Sequence, residues 1–157
     1  MISTFPLRID LAGLDQIEDA LPLLQQQLAE HSISLPLASQ RRGLLGLLDR
    51  PDRGAVLLAR RGDLAVGIAI LAYTWTVEHG GLVAWLDELF VVPSLRGQGI
   101  GGRMIEATLD IARGAGCVAL ELEVEASHSR AAALYERVGF RRLGRTRFTK
   151  SLAPAPR

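Results

Sequence analysis

The stretch that decides the fold is VVPSLRGQGIGG, at residues 91–102. An apolar segment leads into it, Pro93 ends that segment, and glycine occupies four of the six positions from 97 to 102. The residues that follow have a helical apolar pattern, and the first backbone N–H groups of a helix can bind phosphate oxygens. Glycine lets a pyrophosphate approach such a backbone because no Cβ stands in the way. The stretch therefore predicts a strand, a phosphate-binding turn and a helix.

Three interpretations of these glycines compete. They can serve only as a turn, although so many within a few positions are unusual for that purpose. A Walker loop ends in Gly-Lys-Ser/Thr, which is absent here. Gly97, Gly99 and Gly102 match G-x-G-x-x-G, a dinucleotide-binding pattern that would indicate a dehydrogenase. A Rossmann unit, however, carries that pattern in the first turn of a parallel sheet, whereas three strands predicted to be antiparallel precede it here.

Hydrophobic periodicity predicts the elements on either side of the loop. Apolar spacings of three and four predict helices at 14–28, 37–48, about 100–114 and 129–138. Apolar runs bounded by turn residues predict strands at 5–9, 55–59, 64–73, 82–92, 118–124 and 140–149. The order β-α-α-β-β-β-α-β-α-β indicates an α+β fold with a mixed, mostly antiparallel sheet flanked by helices. We expect residues 1–150 to form one domain and 151–157 to be a flexible tail.

Composition limits the classes of function. The 157 residues carry a formal net charge of +1, which does not suggest diffuse binding to nucleic acid. Cys117 is the only cysteine, so no internal disulfide forms, as suits a reducing cytoplasm. We recognise no signal peptide and no run of roughly 18 apolar residues that would span a membrane. His31 and His79 are isolated and show no metal-ligand spacing. We expect a cytoplasmic protein without a metal.

The loop and its flanks resemble the GNAT superfamily of acetyl-CoA-dependent N-acetyltransferases. That family's signature is Arg/Gln-x-x-Gly-x-Gly/Ala, and Arg96, Gly99 and Gly101 fill it. The preceding LDELFVVP, at 86–93, is similar to the family's strand before the loop. The resemblance covers about residues 64–149, and the two helices upstream fit the family's more variable first part. It implies a GNAT-like single domain.

The resemblance also implies acetyl-CoA as co-substrate. The pyrophosphate would rest on the backbone N–H groups of the glycine loop, and the pantetheine arm would pair like an added strand with the preceding backbone. His128 stands where the family commonly has an asparagine that contacts the cofactor arm, and histidine can donate similarly. The expected cofactor-binding residues are Phe90, Val91, Arg96, Gly97, Gln98, Gly99, Ile100, Gly101, Gly102 and His128.

Tyr135 is the expected catalytic acid. Acetyl transfer from a thioester to an amine benefits from a proton for the departing thiolate. The segment AAALYERVGF, at 131–140, is similar to the family's Ala-x-x-Leu-Tyr-x-x-x-Gly-Phe ending, whose tyrosine often protonates the coenzyme A sulfur. The alternative is a half-buried tyrosine that packs the last helix.

The expected general base is Glu88 or Glu123. Glu88 matches an acid that many family members carry before the loop, and Glu123 matches the base of members that acetylate peptide α-amines. Alternation along a strand predicts that Glu88 shares a face with Leu86 and Phe90, whereas Asp87 lies on the other face. A solvated or capping role is a strong alternative for each carboxylate, and a water that relays the proton is a further option.

The predicted acceptor is a primary amine of a small molecule. Aromatic and acidic residues gather along two neighbouring strands and would suit a cationic amine: Tyr73, Trp75, Glu78, Trp85, Asp87 and Glu88. Core aromatics with surface acids explain the same pattern. Two other functions stay open, a peptide or protein N-terminal acetyltransferase and a non-catalytic acyl-CoA sensor. Homodimers are common in the family, but nothing in the chain fixes an oligomeric state.

Overall fold

The computed structural model describes residues 5–152, which fall into two compact units divided between Glu123 and Val124. The first unit holds the whole sheet and three helices, and the second holds one helix. Within 5–152, no helix combines the length and apolar character that a bilayer crossing requires. The expected tail lies mostly outside the described residues, since only Ser151 and Leu152 of it are described, in neither helix nor strand.

The elements of the first unit follow the predicted order. Its strands are β1 Leu7–Leu11, β2 Gly54–Arg61, β3 Leu64–Thr76, β4 Gly81–Val91 and β5 Ala119–Leu122. Its helices are α1 Ile17–Glu30, α2 Leu37–Leu48 and α3 Ile100–Gly114, with short 3₁₀ turns at Leu14–Gln16 and Pro93–Leu95. The α+β fold class is thereby confirmed.

One mixed sheet of five strands, in the order β1-β2-β3-β4-β5, organises this unit. The first four strands are antiparallel neighbours, as their short connections predict, and β5 pairs with β4 in parallel. Because β5 is parallel, the chain must cross over between β4 and β5, and α3 makes that crossing.

Helices cover both faces of the sheet. On one face, α1 and α2 bury a cluster with Ile68 and Ile70 of β3, in which Leu44 is 1% exposed. On the other face lies α3, since a Cβ at Gly67 would come within 2.9 Å of Met104 Sδ. Neighbouring strand residues point to opposite faces, so Gly67 lies on the α3 face and Ile68 on the face of α1 and α2. Burying the apolar faces of α1 and α3 against the sheet is the main contribution to the stability of this unit.

The second unit contains α4, Ser129–Val138, as predicted. Gly139 ends it with a φ of 103°, a left-handed conformation that favours glycine. The strand predicted at 140–149 is not formed: residues 139–152 are in neither helix nor strand. Its apolar residues do not alternate, and two of them are exposed, Leu143 by 46% and Phe148 by 90%. A segment without an apolar face to bury gains little from pairing as a strand.

Candidate functional site

A β-bulge in β4 sets the direction of the central carboxylate. Leu71 of β3 pairs with Leu86, but its neighbour Ile70 pairs with Glu88, so Asp87 is the extra residue. Since Ile70 faces α1, Glu88 does too, while Leu86 lies on the α3 face with Leu71. The expectation that Glu88 and Leu86 share a face was therefore wrong. The inserted residue reverses the alternation.

The bulge coincides with the point where β5 stops pairing. The parallel ladder runs from Val83 with Ala119 to Leu86 with Leu122 and goes no further among the described residues. From Asp87 to Val91 the edge of β4 is therefore not paired by β5, and alternate backbone N–H and C=O groups along it can bond elsewhere. Such an edge is what an extended ligand needs to pair like an additional strand.

Phe90 and Val91 can take part in such pairing only through their backbone. Phe90 is 2% exposed and Val91 9% exposed, so their side chains belong to the core. The Val91 carbonyl already accepts a hydrogen bond of 2.8 Å from Arg96 Nε.

The glycine loop presents uncapped backbone to its surroundings. Gly97 and Gly99 have φ values of 76° and 79°, which L-residues with a side chain rarely adopt. A Cβ at either position would meet nothing within 4 Å, so packing within the protein does not require these glycines. Gly99 is the N-cap of α3 and offers no side-chain cap, and the first turn holds no acidic residue.

The first turn of α3 leaves its N–H groups available. Its first internal bond runs from Arg103 N to Gly99 O, so the N–H groups of Ile100, Gly101 and Gly102 have no partner within the helix. Ile100 is 2% exposed and anchors the turn in the core. The resulting arrangement fits an anion such as a phosphate, attracted by the helix dipole.

Arginines surround this loop but are already engaged. Arg96 donates to Glu30 Oε1 at 2.7 Å, and its guanidinium carbon lies 5.4 Å from the centroid of the Phe90 ring. Arg61 Nη2 donates to Gln98 Oε1 at 3.2 Å. Arg96 thus braces the end of β4 against α1, a structural role that the sequence did not reveal.

Glu88 is held by a side chain that sequence analysis missed. Gln27 of α1 is 7% exposed and donates from Nε2 to Glu88 Oε2 at 2.8 Å. Burial raises the pKa of Glu88; the Gln27 hydrogen bond opposes this change, and the charge of Asp87 adds to it. His31 lowers the pKa of Glu88 by a smaller amount. The available signal was a polar residue on the apolar face of α1, three positions after Leu24.

The other carboxylates have different surroundings. Asp87 is exposed at the bulge. Glu121 Oε1 lies 2.9 Å from His79 Nε2. Glu123, the rival candidate for the base, follows the end of β5 and is exposed, so the predicted strand at 118–124 is shorter than expected.

The aromatic residues predicted to line the acceptor site are divided between the two faces of the sheet. Trp85 pairs with Ala72 and therefore lies on the α1 face, as Glu88 does. Tyr73 and Trp75 lie on the α3 face, opposite Ala84 and Leu82. Only Trp85 shares the face of the candidate base.

Tyr135 and His128 belong to the second unit. The Tyr135 ring packs edge-to-face with Phe140, with 5.7 Å between centroids, and burial raises the pKa of its hydroxyl to about 12. His128 precedes α4 as its N-cap residue and is exposed.

Comparison with known proteins connects this arrangement to one family. Residues 20–140 match the acetyltransferase (GNAT) family. The chain is 32% identical to the IAA acetyltransferase of Azospirillum brasilense over 84% of each chain. It is also 32% identical to the aminoglycoside N(6')-acetyltransferase type 1 of Klebsiella aerogenes, over 69% of this chain and 73% of the relative.

Solved structures share the fold. An integron cassette protein from the mobile metagenome of Cole Harbour Salt Marsh superposes with a TM-score of 0.82 and 28% identity, over 94% of this chain and 91% of that one. The aminoglycoside N-acetyltransferase AAC(6')-Iy, solved in complex with CoA, superposes with a TM-score of 0.81 and 20% identity, over 95% of this chain and 97% of that one.

Proposed function

Because the chain belongs to the acetyltransferase (GNAT) family, we propose that it transfers an acetyl group from acetyl-CoA to a primary amine of a small molecule. The observation that carries this proposal is Glu88, a half-buried, hydrogen-bonded carboxylate on the strand that leads into an uncapped glycine loop. A relative named as an aminoglycoside N(6')-acetyltransferase supports a small-molecule amine as acceptor.

The glycine loop fits the diphosphate of coenzyme A. Gly97 and Gly99 leave open space where a Cβ would stand, and the N–H groups from Ile100 to Gly102, which have no partner within the helix, would bind phosphate oxygens. The pantetheine arm would pair with the edge of β4 between Asp87 and Val91, which β5 leaves unpaired. When bound, acetyl-CoA supplies an acetyl group activated as a thioester.

Glu88 is the proposed general base. A free alkylamine has a pKa of roughly 10, so most of it is protonated and unreactive at neutral pH. Burial raises the pKa of Glu88 and so makes its carboxylate a stronger base closer to the working pH. Gln27 occupies Oε2, which leaves Oε1 to take the proton of the attacking amine.

Tyr135 is the proposed acid. Burial raises the pKa of its hydroxyl to about 12, so Oη retains its proton throughout the neutral range. Because a thiol, with a pKa of about 8.5, is the stronger acid, complete transfer of this proton to a free thiolate is uphill, and Tyr135 would act by donating a hydrogen bond to the sulfur as negative charge develops on it. Tyr135 therefore suits donation and not abstraction.

A cationic acceptor would be recognised on the α1 face of the sheet. Trp85 lies there with Glu88, and Glu121 of β5 pairs with Trp85. A positively charged group can bind over the indole face and beside a carboxylate. Tyr73 and Trp75 are excluded from this role because they lie on the α3 face.

We also propose that residues 1–150 work as one acetyltransferase domain. The family match at 20–140 crosses the division between Glu123 and Val124, so the matched range includes residues of both units. His128 remains a proposed donor to the cofactor arm, because its exposed side chain is accessible to a ligand.

An amine panel tests the function. Purified protein is incubated with acetyl-CoA and separate alkylamines, polyamines, aminoglycosides or peptide N-termini, and released thiol is measured. We expect turnover with a small-molecule amine and a loss of at least about a hundredfold in Glu88→Gln, with a smaller loss in Glu123→Gln. Preference for peptide N-termini, together with a larger loss in Glu123→Gln, would contradict the proposal and indicate a peptide N-terminal acetyltransferase with Glu123 as its base. Acetyl-CoA binding without thiol release from any amine would instead indicate a sensor.

A further inference from the structure

Gln27 is a buried amide in a helix whose other buried residues are apolar. It is 7% exposed, between Leu24 and Leu28, which are 7% and 6% exposed. Burying an amide without a partner costs free energy, so a glutamine at such a position needs a hydrogen bond. It has one with Glu88, 61 positions away, at 2.8 Å.

We propose that Gln27 is a positioning residue for catalysis, which holds the Glu88 carboxylate by one oxygen and presents the other to the amine. The proposal rests on the role of Glu88 as base proposed above. An amide N–H can only donate, so it fixes the carboxylate without competing for the proton that the base must accept.

The packing of α1 makes the Gln27 amide a fixed donor. Leu24 and Leu28 lie in the same apolar cluster as Phe90, two residues after Glu88 on β4. Rotation of the helix would therefore disturb the core, and the amide keeps its direction. The bulge at Asp87 supplies the other half of the arrangement, because it turns Glu88 toward α1.

The hydrogen bond also favours the ionised carboxylate. Among the described residues of the first unit, Asp87 on β4 and His31 at the end of α1 are the charged or titratable groups that act on Glu88. Ile70, its partner on β3, is apolar. An N–H donor stabilises the charged form of a carboxylate, so its removal raises the pKa of the base.

The test compares Gln27→Met with Gln40→Met. Methionine keeps the length of the side chain and removes the donor. Gln40 is the matched control, since it is 8% exposed on α2 and its amide bonds to Leu35 O. We expect Gln27→Met to lower kcat/KM about tenfold, the order of one hydrogen bond to a charged group. The acid limb of its pH–rate profile should move to higher pH. Gln40→Met should keep the wild-type profile.

Two further variants separate positioning from packing. Gln27→Glu has the size of the native residue but places a second carboxylate beside Glu88, and it should move the acid limb even further upward. Gln27→Met in a Glu88→Gln background should cause no additional loss. The substrate amine titrates in the same way in every assay, so a difference between the pH–rate profiles of two variants arises from a group of the protein.

The outcomes distinguish this inference from the proposed function. An unmoved acid limb in both Gln27 variants, or an equal loss from Gln27→Met with and without Glu88, would assign Gln27 a purely structural role and overturn the inference. Full activity of Glu88→Gln alone would overturn the proposed base, and the inference with it. Binding of acetyl-CoA by each variant, measured by calorimetry, verifies that the loop has folded.

Discussion

Arg96 Nη2 lies 2.7 Å from Glu30 Oε1, so the positive charge that begins the glycine loop is paired within the protein. The same guanidinium donates to the Val91 carbonyl at 2.8 Å. The last turn of α1 therefore fixes the end of β4 through Glu30, and it fixes Glu88 through Gln27. One helix end holds both the loop and the candidate base.

Glu30→Gln should tighten the binding of coenzyme A. Removing the carboxylate makes the loop more positive and frees the Arg96 guanidinium for phosphate. We expect a dissociation constant about threefold lower at low salt, the order of a single exposed ion pair, and a smaller effect at high salt. Calorimetry at two ionic strengths measures both. Glu18→Gln is the control, because Glu18 lies at the opposite end of α1 and pairs with Arg41 of α2. Weaker binding in Glu30→Gln would mean that coenzyme A binding depends on this brace more than on a free Arg96 guanidinium.

Gly99→Ala should impair both the turn and the ligand site. Its φ of 79° is unfavourable for alanine by about 1 kcal/mol, and the new methyl group would occupy the open space before α3. We expect a lower melting temperature and coenzyme A binding at least about tenfold weaker, by calorimetry.

Gly114→Ala is the matched control for Gly99. Gly114 is the last residue of α3, and a Cβ there also meets nothing within 4 Å. Alanine should leave binding unchanged. If Gly99→Ala lost stability but bound coenzyme A normally, the loop would be a turn only.

Tyr135→Phe should lower kcat about a hundredfold and leave the affinity for acetyl-CoA unchanged. Because burial raises the pKa of Tyr135 to about 12, the wild-type hydroxyl keeps its proton through neutral and mildly alkaline pH, so it should not limit turnover there. Steady-state kinetics and calorimetry separate the two quantities. Tyr73→Phe is the control, since burial raises the pKa of that tyrosine too, and we expect wild-type turnover. Equal rates for the two variants would eliminate the acid role.

Gly54→Ala should destabilise the sheet where β2 begins. A Cβ there would lie 1.9 Å from the Leu71 carbonyl oxygen, so the two strands would have to separate. We expect a loss of about 3 kcal/mol in the free energy of unfolding, measured with denaturant. Gly43→Ala is the control. Gly43 lies on the exposed face of α2, where a Cβ meets nothing within 4 Å, so alanine should raise the free energy of unfolding by about 0.5 kcal/mol. A smaller loss than expected at Gly54 would show that β2 shifts at little cost.

The elements were predictable where one face of each is apolar. The spacing of residues 37–48 predicted α2 with its observed bounds, Leu37–Leu48. The glycine loop was predictable because its conformation depends on local residues, and Gly97 and Gly99 do adopt positive φ. Local chemistry was sufficient for these features.

The candidate site was less predictable because it depends on distant pairing. Nothing in LDELF shows that Asp87 is an extra residue, since the register becomes visible only against Ile70 and Leu71 of β3. The Gln27 bond to Glu88 joins a helix to a strand 61 positions later. The strand predicted at 140–149 is absent for a different reason, because the apolar residues of that segment do not alternate and so give it no apolar face to bury.

The bulge in β4 makes pairing with Ile70, and not the side chain at position 87, the determinant of where the acid at position 88 points. Many residue types could replace Asp87 and leave that direction intact, because the position contributes its backbone. Removing the position altogether would make Leu86 and Glu88 consecutive residues opposite Leu71 and Ile70, so the ladder would become regular and the carboxylate would still face α1. The direction of the carboxylate should therefore survive both exchange and deletion at position 87, and what deletion removes is the local irregularity of the strand.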